Sequence, residues 1–295
     1  MKNLLLCLWT ILLVHSCRTE IESGDKPVIS VSILPQQYFI EQLAGNLVEV
    51  NVMIPPGASP ATFEPTVMQL GKLDRSSVYM RIGYIGFEQS WMDKIRTVNP
   101  SMKLVDLSEG IEVIQESAGQ IIHEADDHHG HQHHGPDPHI WMSITNGGII
   151  ARNIHEELQL LLPAEKDYLQ ARYDRFRLYL DSLHTEITGK LEQLENRSFM
   201  IYHPALTYYA RDYRLEQLAL EIEGKSPSPA HLREMTDLAR ENHISKILIQ
   251  SQFDRNNAEI LARETGAEII QFDPLDLNWG KQMSYIAEQL NNSKQ

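Results

Sequence analysis

The chain has 295 residues, is 42% hydrophobic and carries a formal net charge of −14. That length is enough for two domains with real cores, and the composition is that of a folded, water-soluble protein. The acidic balance excludes a nucleic-acid partner, because neutralising phosphates needs clustered Lys and Arg.

The first seventeen residues, "MKNLLLCLWTILLVHSC", stand apart. Lys2 precedes an apolar run from Leu4 to Val14, which is too short to span a bilayer and has the layout of an export signal. Ending in Cys17 after Val14 and Ser16, the segment resembles a bacterial lipobox, which implies acylation of Cys17 and a membrane-anchored, extracytoplasmic protein. His15 stands where a small residue is usual, so ordinary cleavage nearby is the other route. The chain has only two cysteines, Cys7 and Cys17, so its mature body can form no internal disulfide.

Residues 18–26 are polar and read as a tether. The pattern then alternates: strand "PVISVSIL", helix "QQYFIEQLAG", strand "VEVNVMI" ended by Pro55-Pro56-Gly57, helix "PTVMQLGKLDRS", strand "SVYMRIG", helix "FEQSWMDKIRTV", strand "MKLVDLS". Such alternation predicts a parallel sheet flanked by helices. Further on, Leu162, Leu169, Tyr173, Phe176, Leu180, Leu183, Ile187, Leu191 and Leu194 recur at threes, fours and one seven. That spacing predicts one long helix from Pro163 to Glu195, about 50 Å at about 1.5 Å per residue. It reads as a coiled-coil segment or as a rigid strut between domains.

Alternation resumes with strand "SFMIY", helix "LTYYARDY", strand "EQLALEI", helix "SPAHLREMTDLARENH" capped by Ser228, strand "SKILIQ", helix "NNAEILARETG", strand "AEIIQF" and closing helix "WGKQMSYIAEQL". The predicted organisation is therefore α/β. Two lobes with mainly parallel sheets, 27–160 and 197–295, are bridged by a helix over 161–196.

In open α/β sheets, ligands sit at the carboxyl ends of strands. His203 follows one predicted strand and precedes Pro204; Asp273 follows another and precedes Pro274. An imidazole and a carboxylate so placed suit a borderline cation such as Zn2+. Seven histidines lie between His123 and His139, and the last differs from the rest. His139 sits in "PDPHIWMS", stiffened by prolines before it and anchored by apolar residues after it. His123, His128, His129, His131, His133 and His134 lie among Asp, Gly and Gln, and read as a loose multi-ligand trap for Zn2+, Cu2+ or Ni2+.

The stretches "PPGASPATFEP", "GFEQSWMDKI", "DPHIWMS", "YHPALTYYARDY", "EIEGKSPSPAHL" and "ARETGAEIIQFDPL", in this order over the mature chain, resemble the periplasmic zinc- and manganese-binding proteins of ABC transporters. The resemblance implies two α/β lobes bridged by a long helix, with the metal in the cleft between them. It implies His139, His203 and Asp273 as ligands and Zn2+ as cargo, with Mn2+ as second choice. It further implies an inner-membrane ABC permease as partner and a monomeric protein on the periplasmic or cell-surface side. A histidine at position 203 resembles the zinc branch.

The chain departs from that pattern at Ala61, where the family's first ligand is a histidine. Water, Glu64 or a loop histidine such as His134 could fill the gap. Two further functions follow from this. One is a degenerate relative that buffers zinc through its His-rich loop. The other is a zinc hydrolase, disfavoured because only Glu64 offers a candidate base and "HEADD" lacks the second histidine of H-E-x-x-H. No enzymatic activity is expected. His155, His184, His231 and His243 read as surface residues, and Tyr202, Tyr208, Tyr209 and Tyr213 as core and cleft wall.

Overall fold

The structure, a computed structural model, describes residues 26–115, 135–221, 226–253 and 255–292. The export signal with Cys17, most of the tether and the six histidines from His123 to His134 lie outside the described residues.

The chain runs β1 (Val28–Val31), α1 (Leu34–Ala44), β2 (Glu49–Val52), α2 (Val67–Leu73), β3 (Ser76–Arg81), α3 (Gly86–Val98) and β4 (Lys103–Asp106). Two helices follow, α4 (Ile144–Leu161) and α5 (Lys166–Leu191). The second lobe is β5 (Ser198–Ile201), α6 (Thr207–Tyr213), β6 (Glu216–Ala219), α7 (Pro229–Glu241), β7 (Lys246–Gln250), α8 (Asn256–Thr265), β8 (Glu268–Phe272) and α9 (Trp279–Asn291). Each lobe has one four-stranded parallel sheet, in the orders β2-β1-β3-β4 and β6-β5-β7-β8. The central strands β1 and β7 are buried along their whole length. Strands covered on both faces lose alternation and read as continuous apolar runs. Both strand orders reverse beside the first strand, so each lobe has a crevice at the carboxyl ends of its two central strands.

Between the lobes, α5 packs on α1 and α4 on one side and on α9 on the other. Its buried stripe is Leu169, Phe176, Leu180, Leu183, Ile187 and Leu191. It is shorter than its periodicity suggests, about 39 Å, because Pro163–Glu165 winds as a 3-10 turn before it. One core cluster runs through this seam from Ile29 and Tyr79 in the first lobe to Phe199 and Leu248 in the second. Among the described residues no helix is long and apolar enough to cross a membrane.

The helix α4 is absent from the sequence expectation. Ile144, Ile150, Ala151, Ile154 and Leu158 line its buried face, but Gly147-Gly148 weakens local propensity. Gly147 is there for contact: a Cβ would lie 3.1 Å from the Trp279 ring. The expectation that His155 lies on the surface is corrected for the same reason. With α4 formed, His155 is only 6% exposed, and its ring stacks on Tyr173 of α5 at 4.4 Å.

Candidate metal centre

His139 arrives on the segment leading into α4. Ile140, Trp141 and Met142 are buried, and Ser143 caps the helix by accepting the Asn146 N–H. Upstream, the Asp137 N–H donates to the Ile114 carbonyl at 2.8 Å. The imidazole is thus held between two fixed points. Asp137 also accepts from the His139 backbone N–H at 2.8 Å and lies 2.9 Å from its Nδ1.

In the second lobe every strand delivers one polar residue just beyond its carboxyl end. These are His203 after β5, Glu221 after β6, Gln252 after β7 and Asp273 after β8. Gln250 brackets the His203 backbone, its Nε2 donating to the His203 carbonyl at 2.6 Å. Phe253 lies against the His203 ring, with centroids 5.3 Å apart and planes at 23°. Glu221 Oε2 lies 2.6 Å from His203 Nδ1.

The two lobes bring His139 and His203 together. Their Nε2 atoms are 3.3 Å apart, with ring planes at 72°. Asp273 stands at the neighbouring strand end, where its Oδ1 accepts from Gln252 Nε2 at 3.0 Å and from the Leu275 N–H at 2.9 Å. Among the described residues, no three His, Cys, Asp or Glu side chains are gathered closely enough to hold an ion. Two of the three expected ligands therefore meet, and the third is engaged with its own surroundings.

Among the described residues, no His or Cys follows a strand of the first sheet. Its crevice is plugged by Glu88, 1% exposed, which accepts from Ser32 Oγ and from the N–H groups of Ile82 (2.8 Å) and Gly83 (2.7 Å). Burial pushes the Glu88 carboxyl up to about 7, against these hydrogen bonds and the nearby Arg81 charge. Ala61 is exposed, on a loop latched to the start of α3 by the Phe87 N–H donating to the Pro60 carbonyl at 2.7 Å. Glu64 is exposed too and makes no hydrogen bond or ion pair among the described residues. For Asp137, burial raises the carboxyl, but the adjacent His139 imidazole and several hydrogen bonds outweigh it and hold the group below its ordinary range.

Asp137, Glu221, Gln250, Gln252 and Phe253 went unread in the sequence. The signal for Glu221 was present: it is a polar residue at a strand end, like His203 and Asp273. Reading "EQLALEI" as strand throughout placed it inside the sheet, whereas β6 stops at Ala219.

Comparison with known proteins shows the family of the chain. The family described as zinc-uptake complex component A, periplasmic, matches residues 29–295. A crystal structure of ZnuA is 35% identical, covering 91% of this chain and 99% of its own, with a TM-score of 0.83. A ZnuA deletion mutant with zinc bound is 36% identical, covering 92% of this chain and 100% of its own, with a TM-score of 0.82. The zinc-binding lipoprotein AdcA of Streptococcus pneumoniae is 26% identical over 284 residues, 93% of this chain. The chain spans about half, 55%, of that relative's length.

Proposed function

The chain belongs to the periplasmic zinc-uptake component A family, and from that footing we propose that its interlobe cleft binds Zn2+ outside the cytoplasm and delivers it to an ABC-type importer. The single observation that carries this reading is the 3.3 Å separation of His139 Nε2 and His203 Nε2. Tetrahedral zinc with Zn–N bonds of about 2.05 Å has ligand nitrogens about 3.3–3.4 Å apart. The two lobes therefore already present one edge of a zinc tetrahedron.

His139 and His203 are the primary ligands in this reading, and Asp273 completes the protein set. One Asp273 oxygen carries both of its side-chain hydrogen bonds among the described residues. The other is left to bind. With Ala61 at the family's first ligand position and Glu64 pointing to solvent, water takes the fourth place. Three protein ligands and a water also describe a catalytic zinc. Among the described residues, however, the carboxylates of Asp137 and Glu221 beside the pair are engaged by the imidazoles, which leaves neither free to act as a general base. In this reading the arrangement serves binding and release. Lipid attachment through Cys17 would keep the protein beside its permease, a membrane partner that draws on one copy of this chain.

Calorimetric titration of Zn2+ into the metal-free protein tests the assignment. One site is expected, lost in His139→Ala and in His203→Ala and weakened in Asp273→Asn. Removal of residues 123–134 leaves it in place. Binding that disappears with those residues and survives both histidine substitutions would show that zinc is held elsewhere.

A further inference from the structure

Which nitrogen of each imidazole carries its proton decides whether the pair can take a cation at all. A neutral imidazole has one N–H and one lone pair, and in water the proton favours Nε2. In that form the nitrogens at the centre of this cleft would be donors and would repel a metal. The surroundings of the rings reverse the preference. His139 Nδ1 lies 2.9 Å from Asp137 Oδ1, and His203 Nδ1 lies 2.6 Å from Glu221 Oε2. An ionised carboxylate only accepts hydrogen bonds, so each Nδ1 facing one must be the donor.

We propose that Asp137 and Glu221 are positioning residues that lock His139 and His203 in the Nδ1–H form and aim both Nε2 lone pairs at one point between the lobes. The proposal rests on the zinc-binding reading and deepens it, since neither residue touches the ion. Both carboxylates are well shielded, with side chains 5% and 7% exposed, so water does not readily replace them. Both are also fixed by the fold. The Asp137 backbone is held from each side, its N–H by the Ile114 carbonyl and its own carbonyl by the Tyr208 hydroxyl of α6 at 2.9 Å. The Glu221 N–H is held by the Tyr202 carbonyl at 2.9 Å.

One carboxylate therefore comes from each lobe, and each sets the ring of its own lobe. The two Nε2 atoms stand within hydrogen-bond distance, 3.3 Å apart; with both rings in the Nδ1–H form neither can donate to the other, and a cation between them takes both lone pairs. Partners of this kind raise ligand basicity and fix ring orientation, and losing one typically costs about 10–100-fold in metal affinity.

The test is a long-range 1H–15N correlation spectrum of the imidazole nitrogens in metal-free full-length protein at pH 8.5, followed by zinc titration. Both histidines are expected as Nδ1–H. In Glu221→Gln, whose neutral side chain can present an N–H to the ring, His203 shifts toward Nε2–H while His139 does not. Zinc Kd should then rise about 10–100-fold. Asp137→Asn does the converse. An Nε2–H signal for either ring in the unsubstituted protein overturns the proposal without any variant. So does Glu221→Gln with tautomer and affinity unchanged. If the Nδ1–H forms are found but no zinc binds, the lock stands and the zinc reading falls. If zinc binds to rings in the other form, the reverse holds.

Discussion

Trp141 and Trp279 clasp the cleft from opposite lobes. Trp279 Nε1 donates to the Trp141 carbonyl at 2.7 Å, while Trp141 Nε1 donates to the Pro274 carbonyl at 2.8 Å. Both indoles are at most 2% exposed, and Trp279 also packs on Phe39 of α1 with ring centroids 4.8 Å apart. Trp141 stands two residues after His139, and Pro274 directly follows Asp273. The clasp thus ties the segment that carries one expected ligand to the segment that carries another. Trp279→Phe keeps a ring but removes the donor and some volume, leaving a buried carbonyl unpaired. A loss of about 2–4 kcal/mol in urea unfolding is expected, together with weaker zinc binding. A loss under about 1 kcal/mol would mean that the indole N–H does not hold the seam.

Ala61→His places an imidazole at the position where the family resemblance expects a first ligand. Its loop is already latched onto the start of α3, so the new side chain needs no refolding of the lobe. Replacing a water by a third imidazole is expected to tighten zinc binding tenfold or more, which is about 1.4 kcal/mol. Calorimetry against the unsubstituted protein decides it, and an unchanged Kd would mean that the loop holds position 61 away from the ion.

Zinc should also act as a folding ligand. At a free concentration of about 100 times Kd, one site adds about 2.7 kcal/mol. For a chain of this size that raises the melting temperature by roughly 5 °C. The rise should be reversed by chelator and be absent in the His139→Ala, His203→Ala double variant. A rise that survives in the double variant would place the stabilising zinc outside the cleft.

Glu88 makes stability depend on pH in a stated direction. Its carboxyl goes from 4.5 to about 7 on folding, chiefly through burial, so the folded state binds its proton more tightly than the unfolded chain. The stabilisation from that proton is complete below pH 4.5 and is lost as pH rises through about 7. The shift corresponds to about 3 kcal/mol between the two limits. Glu88→Gln has no such proton, so the stability difference between the unsubstituted protein and this variant should fall from pH 5 to pH 8. A difference that stays constant over that range would show that Glu88 does not titrate with folding.

Much of the fold was legible because local signals and burial agree along this chain. The central strands β1 and β7 carry β-branched and apolar runs, and Ser228 with Pro229 marks the start of α7 as its chemistry requires, accepting the His231 N–H. The exception is α4, whose stripe was present but was interrupted by Gly147-Gly148, a pair explained only by the Trp279 ring against the first of them. His155 was misread with it, because a histidine on an unrecognised helix has no visible partner face.

The site divides in the same way. His203 and Asp273 could be singled out because a strand end in an open sheet is a position with known chemistry, and His139 because prolines before it and the apolar Ile140 and Trp141 after it mark a held side chain. Sequence determines which groups are available, since residue type sets donor chemistry without reference to the fold. The tertiary structure alone decided the 3.3 Å meeting of two imidazoles from different lobes, the carboxylate behind each ring, and the engagement of Asp273 by Gln252 and Leu275. His139 and His203 are separated by 64 positions. Distances across such a gap depend on how two sheets pack about α5 and α9, and no local preference encodes that packing.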